Sequence, residues 1–336
     1  MSRGTFMKEI ERKTHAILHI IANSAKPIGS KEISAELKAH GIELTERAIR
    51  YHLKIMDEKG LTETKWKEGR TITLMGREEL EDALVSDKVG FIISKIESMA
   101  YQMDFDLDKK AGKVILNVSL IPKDKFAEAL GVMKKVFDKK LSMGVLVAVA
   151  HEGEALGDLI VPEDKVAFGT ICSINLNGIL LRYAISVESK FGGMLQIDNY
   201  HALRFTDLIS YSGSTLDPLE VFIKSKMTSV GLAAATGSGK IMASFREIPA
   251  LAREAALPIL RRAEDAGFGS ALVVGKPGHP LLGVPVAMGR VGFVVPGGLN
   301  PVAVLEEEGI ATESKALVTL IDYQRLKLFC DVRGGS

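Results

Sequence analysis

Apolar residues recur at helical spacing through the first sixty positions of the chain, and turn residues divide them into three groups. The pattern predicts helices over residues 7–24, 30–41 and 45–60. Ser30 and Thr45 are residue types favoured at the N-cap, so we expect each of them to begin its helix. In the third helix Ile49, Leu53 and Met56 fall on one face, as expected for a helix that packs against the other two.

Polar and apolar residues alternate after the third helix. Residues 61–65 and 71–74 have the period of strands, and the sequence KEGR between them predicts a hairpin turn. Three helices followed by a hairpin are the plan of a winged-helix domain, which we place at residues 1–80. In such domains one helix enters the major groove of DNA, and the hairpin, called the wing, lies on the backbone.

Cationic residues on the third helix and on the wing agree with DNA binding. The net charge of the whole chain is only +1, so the position of the charges matters more than their sum. The alternative is that they are solvated charges on a module that binds another protein. The predicted DNA-binding residues are Thr45, Arg47, Arg50, Tyr51, Lys54, Lys65, Lys67 and Arg70.

A repeat follows the winged-helix region. Residues 77–103 predict a helix, and we assign residues 81–111 to a connector that could also hold a dimer together. Beyond it, residues 112–122 match residues 239–249 at an offset of 127, and residues 167–178 match residues 292–303 at an offset of 125. The sequence Glu-Ser-Lys at 188–190 recurs at 313–315, again at 125. This nearly constant offset indicates an internal duplication.

Each copy of the repeat shows the order β-α-β-β-α-β, which is the split βαβ plan. The sequence therefore predicts an α+β protein with an N-terminal winged-helix domain and a duplicated body of two ferredoxin-like lobes. We place the lobes at residues 112–210 and 239–333, with a linker at 211–238. A cleft between two lobes is a common place for a ligand, and we expect the ligand there.

Composition limits the classes of function. Cys172 and Cys330 are the only cysteines, so the chain has no disulfide framework, which suits a reducing compartment. The first residues do not form a secretory signal, and the longest apolar run, residues 143–150, is too short to span a bilayer. We therefore expect a cytoplasmic protein that does not enter a membrane.

Three motifs that suggest enzyme chemistry are incomplete. At 231–241 a Gly-Lys pair occurs, but Ala234 and Ile241 stand where a phosphate-binding loop needs glycine and a hydroxyl. His279 has no second ligand at metal spacing, and no base is placed beside Cys172 by the sequence. We expect no catalytic residue, no metal and no cofactor. The alternative is an enzyme of small-molecule metabolism with an accessory winged helix.

Two turns from strand to helix occupy matching places in the two copies. The first, GTICSINLNG at 169–178, brings hydroxyls and backbone N–H groups to a helix start, which suits a carboxylate or a phosphate. The second, VVPGGLNP at 294–301, offers glycines and an asparagine. If the two copies face each other, each turn could hold one end of a small anion. The alternative is that both are only capped helix starts.

These turns, the winged helix, the duplicated body and the sequence PGHPLLGVP at 277–285 together resemble the NrpR family of archaeal nitrogen-regulation repressors. The resemblance implies a homodimer that represses nitrogen-assimilation genes, binds palindromic operator DNA and leaves it when 2-oxoglutarate binds. Some chains of that family carry two regulatory bodies, whereas this sequence has one. The ligand residues that it implies are Thr170, Cys172, Ser173, Asn175, Gly297, Gly298 and Asn300.

Overall fold

The structure is a computed structural model that describes residues 3–24, 26–39, 41–66, 68–82 and 91–333. Lys67, which we predict to contact DNA, and residues 83–90 of the predicted connector lie outside the described residues. The chain divides into two compact units, Met1–Val89 and Gly90–Ser336. We call them the winged-helix unit and the body.

The winged-helix unit has the predicted order of elements. They are α1 (Arg3–Asn23), α2 (Ser30–Ala39), α3 (Glu46–Glu58), β1 (Thr62–Lys65), β2 (Gly69–Ile72) and α4 (Leu74–Asp82). Buried aliphatic residues of α1, α2 and α3, among them Ile17, Leu37 and Leu53, form one core. β1 and β2 pair antiparallel, with Lys65 opposite Gly69, so the turn begins at Trp66, one residue before the predicted KEGR.

Helix starts are predicted well for α3 and less well for α2. The Thr45 hydroxyl accepts a hydrogen bond from the Ala48 N–H at 3.2 Å, as expected of an N-cap. Ser30 is already part of α2, and the Glu32 carboxylate instead accepts from the Gly29 N–H at 2.8 Å. α2 therefore starts at residue 30, as the predicted span has it, but Ser30 is its first residue and not its N-cap.

The body begins with a helix and alternates strands and helices afterwards. Its helices are α5 (Phe91–Gln102), α6 (Phe126–Asp138), α7 (Asn175–Arg182), α8 (Pro218–Lys224), α9 (Val230–Thr236), α10 (Arg253–Asp265) and α11 (Asn300–Glu307). Its strands are β3 (Lys113–Pro122), β4 (Leu146–His151), β5 (Ala155–Leu156), β6 (Leu159–Ile160), β7 (Lys165–Ile171), β8 (Glu188–Asp198), β9 (His201–Ser210), β10 (Gly239–Pro249), β11 (Val273–Val274), β12 (Arg290–Pro296), β13 (Glu313–Asp322) and β14 (Lys327–Leu328).

Ten of these strands form two five-stranded sheets. The first sheet has the order β13-β3-β7-β4-β14, and the second has the order β11-β12-β10-β8-β9. The strand that opens a copy of the repeat lies inside each sheet, with β3 second in the first sheet and β10 at the centre of the second. Its two neighbours are antiparallel to it, so the two sheets have the same local arrangement.

The sheets do not follow the predicted lobe boundaries, and this part of the prediction is wrong. β8 belongs to the first copy of the repeat but pairs with β10 of the second, with Met194 opposite Met242. β13 belongs to the second copy but pairs with β3 of the first, with Ser314 opposite Ser119. Each sheet thus takes two strands from the other copy, β13 and β14 in the first sheet and β8 and β9 in the second, so residues 112–210 and 239–333 are not separate sheets. Strand periodicity identifies a strand but does not tell which partner it pairs with.

The segments predicted as connector and linker contain packed structure. α5 contributes Ile96 and Ala100 to the core of the body, so it does not act as a connector there. Residues 211–238 form α8 and α9, which bury Phe222 and Val230 in the same core. In the parts of the chain that the structure describes, no helix has both the length and the apolar character needed to cross a bilayer.

Candidate functional site

α3 has one buried face and one exposed cationic face. Ile49, His52, Leu53 and Met56 are buried, so the opposite face is free of the core. That face carries Arg47, Arg50, Tyr51 and Lys54, which recur at helical spacing and are all exposed, Tyr51 by 65%.

Ion pairs on this face are exposed and can be exchanged for other partners. Arg50 lies 3.3 Å from the Glu46 carboxylate, and Lys54 lies 3.7 Å from that of Glu58. Exposed pairs of this kind contribute less than about 1 kcal/mol. Exchanging the glutamate for a DNA phosphate would therefore cost little free energy. The face as a whole is suited to the backbone and base edges of a DNA groove.

The structure gives Arg70 a different role from the one that we predicted. Its guanidinium donates to both carboxylate oxygens of Asp57 on α3, with Nε–O distances of 3.1 and 2.9 Å. The hydroxyls of Thr62 and Thr64 donate to the same carboxylate. Arg70 therefore holds the wing against α3. Lys65 of the wing pairs with Glu63 at 2.9 Å and remains exposed.

Sequence reasoning missed Trp66 at the tip of the wing. Its side chain is 84% exposed, although tryptophan is normally among the more buried residues. It follows Lys65 directly, so the tip of the hairpin carries both an exposed aromatic residue and a cation. An aromatic residue inside a polar hairpin turn was the signal that could have found it.

The first turn of the body is held by Asn175, the first residue of α7. Its carboxamide oxygen accepts from the Ile115 N–H at 2.8 Å, and its Nδ2 donates to the carbonyl oxygens of Ile115 and Cys172, both at 2.7 Å. Asn175 is fully buried. The amide oxygen and one amide hydrogen thus fix the helix start to β3, and the other amide hydrogen binds within the turn.

The second turn repeats this arrangement at Asn300. Its oxygen accepts from the Met242 N–H at 2.9 Å, and its Nδ2 donates to the carbonyl oxygens of Met242 and Leu141 at 3.0 and 2.7 Å. Ile115 and Met242 are 127 residues apart, like the strands that contain them. Both asparagines thus serve as clasps between a helix start and the strand that opens a copy of the repeat, β3 or β10.

The two turns meet, as we expected if the copies face each other. A Cβ placed on Gly298 would lie 2.2 Å from the Ile171 carbonyl oxygen, so only glycine fits at this contact. Gly297 donates its N–H to the Met242 carbonyl oxygen at 2.8 Å. The N–H groups of Cys172 and Asn175 also donate within the chain, to Ile115 and Cys172. These N–H groups, which we expected to be available to an anion, are therefore occupied.

Thr170 and Cys172 are buried beside this contact. The Thr170 hydroxyl has no hydrogen-bond partner, a costly arrangement for a buried polar group. Burial raises the pKa of the Cys172 thiol to about 12, so the thiol stays protonated and is a poor nucleophile. The structure thus gives no support to a catalytic cysteine.

Ser173 connects the first turn to a residue that the sequence analysis did not select. Arg246 of β10 donates from Nη2 to the Ser173 hydroxyl at 2.6 Å and from Nη1 to the Ser173 carbonyl oxygen at 2.7 Å. Nη1 also donates to the Asn177 carboxamide oxygen. Arg246 is 0% exposed and is one of the largest fully buried side chains. The first turn is therefore held against a buried guanidinium, whereas Gly298 of the second turn packs against backbone.

The other motifs show no site among the described residues. The Gly-Lys at 239–240 begins β10, with α9 before it, which is the reverse of the strand-to-helix order of a phosphate-binding loop. The His279 ring contacts the Pro277 carbonyl oxygen at 2.8 Å. Within the described ranges no group of three or more metal-ligating side chains occurs.

Comparisons with known proteins agree with this two-part organisation. Residues 15–80 match the family model described as the ribonuclease R winged-helix domain. Residues 89–328 match the model described as NrpR regulatory domains NRD1 and 2.

The chain belongs to the NrpR family. It is 39% identical over 319 residues to the global nitrogen regulator NrpRI of Methanosarcina mazei, with 95% of this chain and 98% of that protein covered. It is 30% identical to the global nitrogen regulator NrpR of Methanococcus maripaludis, with 93% of this chain covered. The same identity and 95% coverage hold for the NrpR of Methanocaldococcus jannaschii. The chain spans 54 and 55% of the length of these last two proteins.

A solved structure shares the fold of the NrpR body. A nitrogen repressor-like protein from Methanococcus jannaschii superposes with a TM-score of 0.62 and 29% identity, over 72% of this chain and 99% of that one. The relatives are named as regulators, and the chain is accordingly a transcription regulator of the NrpR family rather than an enzyme.

Proposed function

We propose that this NrpR-family chain represses nitrogen-assimilation genes by binding operator DNA and is released when 2-oxoglutarate binds to the body. The exposed face of α3 carries the first half of the proposal. It presents Arg47, Arg50, Tyr51 and Lys54 together and away from the core, as a helix in the major groove requires. Among the residues predicted to bind DNA, the wing adds Lys65, and we add Trp66 beside it.

The names of the relatives support the regulatory part of the proposal, since all three are called nitrogen regulators. 2-Oxoglutarate carries two carboxylates, so a site for it needs cationic or N–H donors inside the body. Arg246 provides buried donors next to Ser173, one of the predicted ligand residues. The roles of Asn175 and Asn300 are better explained as clasps that position the two turns, because their amides are already bonded.

The architecture supports an internal duplication with exchanged strands. The two sheets have matching orders around β3 and β10, and the asparagine clasps occupy the same place in both. We propose that two ferredoxin-like units of βαββαβ order arose by duplication and traded their last strand. We also propose a homodimer on a palindromic operator, because a winged-helix dimer reads two inverted half-sites.

Fluorescence anisotropy with labelled promoter fragments of nitrogen-assimilation genes tests the function. We expect binding by the free protein and release as 2-oxoglutarate is added. Replacing Arg50 with alanine should cost about 1–3 kcal/mol if it reads a guanine, or lower the salt slope by about one if it contacts a phosphate. The matched control is Lys134→Ala on an exposed face of the body, which should change neither quantity.

The effect of 2-oxoglutarate separates the proposed function from its rivals. Loss of 2-oxoglutarate during incubation, measured by chromatography, would indicate the enzyme alternative. Binding to no promoter fragment with or without ligand would indicate a protein-binding module. The single tryptophan of the chain, Trp66, gives an independent signal, since its fluorescence should change on DNA binding if the wing makes contact.

A further inference from the structure

Arg246 is a buried cation that lacks a counter-ion among the described residues. No carboxylate in the described part of the chain lies within ion-pair distance of its guanidinium, and its hydrogen bonds go to two neutral residues, Ser173 and Asn177. Glu247, next to it in the chain, is paired with Arg290 instead, at 3.6 Å. A buried charge without a partner is strongly unfavourable, so this one calls for an explanation.

The guanidinium also has donors left over. It carries five N–H groups, of which Nη1 uses both of its own and Nη2 uses one. Nε has no partner at all, and it is one of only a few buried polar side-chain atoms for which this holds among the described residues. Nε–H and one Nη2–H are thus unassigned. Two N–H groups on neighbouring nitrogens of a guanidinium are the donors that a carboxylate accepts as a pair.

Burial does not neutralise Arg246, so the guanidinium still needs a counter-ion. It lowers the pKa of the guanidinium to about 10, so the group remains charged at neutral pH. The buried hydroxyl of Tyr211 bonds to Ser244, two residues before Arg246 on the same strand face, at 3.0 Å. Burial raises the pKa of this tyrosine, so it stays neutral and provides no counter-charge.

A pocket of about 260 Å³ opens on the same face of the second sheet. It lies between α5 and the start of β8 and is lined by Ser189, Phe191, Ile96 and Glu97, among others. Ser189 is the cross-strand partner of Arg246, and such partners point to the same face. The Ser189 hydroxyl accepts from Asn177, whose oxygen accepts from Arg246. The pocket is smaller than those of drug-sized ligands, roughly 300–1,000 Å³, and suits a small metabolite.

The other half of the body keeps the serine that matches Ser189, which is Ser314, but lacks the arginine and its two hydrogen-bond partners. At the offset of 127, Ser119 stands in place of Arg246, and its hydroxyl lies 2.8 Å from that of Ser314. At the offset of 125, Gly298 stands in place of Ser173 and Val302 in place of Asn177. The two halves thus share a scaffold, and only one of them carries the buried arginine.

We propose that Arg246 is the anchor for a carboxylate of the effector, positioned by Ser173 and Asn177, and that the body holds one such ligand per chain. The identity of the effector as 2-oxoglutarate rests on the proposed function. The preference for a carboxylate rests on the donors of Arg246 alone. The ligand carboxylate supplies the missing counter-ion and accepts the two unassigned N–H groups. The ligand enters on the face where Ser189 lines the pocket.

Calorimetry of the full chain with 2-oxoglutarate tests the proposal. We expect one ligand per chain for the wild type. Arg246→Met should weaken binding by about 100-fold or more, and Arg246→Lys by about tenfold, because lysine keeps the charge and loses the paired donors. Ser119→Ala, at the matching position of the other half, is the control and should bind like the wild type.

Melting temperatures show whether the variants fold. Arg246→Met removes an unpaired buried charge but also leaves the acceptors of Ser173 and Asn177 without a donor, so a cooperative melting transition serves only to show that the variant folds. Its melting temperature should not respond to ligand. If this variant does not fold, Arg246→Lys carries the test through its affinity. Binding of 2-oxoglutarate at wild-type affinity by a folded methionine or lysine variant would overturn the proposal, as would two ligands per chain.

A panel of carboxylates separates this proposal from the proposed function. Succinate, glutarate, citrate and acetate are titrated beside 2-oxoglutarate and inorganic phosphate. If the wild type binds another carboxylate but not 2-oxoglutarate, and Arg246→Met loses that binding, the anchor is supported and the effector is wrong. If none of the carboxylates binds to the wild type, the anchor itself is wrong.

Discussion

The two turns of the body share one scaffold and differ in charge. Asn175 and Asn300 each make the same two hydrogen bonds to β3 or β10, and a third to a carbonyl oxygen outside these strands, of Cys172 and Leu141 respectively. Behind the first turn lies Arg246, while the second turn packs through Gly298 against the Ile171 carbonyl oxygen. Features present in both halves therefore hold the fold, and features present in one half are the better candidates for function.

The largest expected effect concerns the shared feature. Asn175→Ala and Asn300→Ala each leave a buried backbone N–H and C=O, of Ile115 in β3 or of Met242 in β10, without their side-chain partner. At about 1–3 kcal/mol for each such group, we expect each variant to lose about 4 kcal/mol of unfolding free energy. Urea unfolding measures both. A loss in one variant with little change in the other would break the equivalence of the halves.

The next effect concerns a buried acid, Asp217, at the start of α8 in the segment between the two copies of the repeat. Burial, together with the nearby Glu220, raises the pKa of Asp217 from 3.8 to about 7, so the folded body favours the protonated form. The stability that this group contributes is present below pH 4 and is lost as the pH rises through about 7. Between pH 5 and pH 8 we expect a loss of about 3 kcal/mol in the wild type.

Asp217→Asn tests that expectation. The amide stays neutral and can still cap α8, where the Asp217 carboxylate now accepts from the Leu219 N–H at 2.9 Å. Unfolding by urea at pH 5 and pH 8 should show a smaller change in the variant, which becomes more stable than the wild type at pH 8. An equal pH dependence in both proteins would show that Asp217 titrates normally.

A smaller effect tests the contact between the turns. The Cβ of alanine at position 298 would lie 2.2 Å from the Ile171 carbonyl oxygen, whereas at position 297 it would lie 3.1 Å from Met242. We expect Gly298→Ala to cost about 2 kcal/mol, within the usual range for overpacking, and Gly297→Ala to cost less than about 1 kcal/mol. Differential scanning calorimetry of the two variants measures the difference in their stability. Equal melting temperatures would mean that the turns do not meet as described.

The smallest effect lies in the half without the cation. Ser314→Ala removes the 2.8 Å contact with the Ser119 hydroxyl, and we expect it to cost about 1 kcal/mol of stability. Its affinity for carboxylates should equal that of the wild type. A weakened affinity, measured by calorimetry, would place ligand contacts in this half as well and would remove the distinction between the turns.

Local patterns predicted local features of this molecule. The spacing of Ile49, Leu53 and Met56 gave the buried face of α3, and the cap at Thr45 followed from its residue type. The duplicated motifs predicted that the two turns would face each other, and Gly298 shows that they do. These features depend on neighbours in the sequence or on the repeat itself.

The sequence did not predict which strands or side chains pair when they are far apart along the chain. The exchange of β8 and β13 depends on which strand edge each meets, and all the strands concerned have similar apolar patterns. The charge of Arg70 predicted a DNA contact, but in the structure its guanidinium pairs with Asp57, thirteen residues earlier in the chain. Arg246 had a signal that we did not use, because aligning the two copies sets this arginine against a serine, Ser119.

Coupling between the DNA-binding face and the body is the central claim, and a reciprocal binding measurement tests it most directly. The affinity of the full chain for 2-oxoglutarate is measured with and without saturating operator DNA, and its affinity for the operator with and without saturating 2-oxoglutarate. Thermodynamic linkage requires each ligand to weaken the other by the same factor. We predict a factor of about 5–150 in both directions, the usual range for coupled sites. Equal affinities with and without the second ligand would contradict the account.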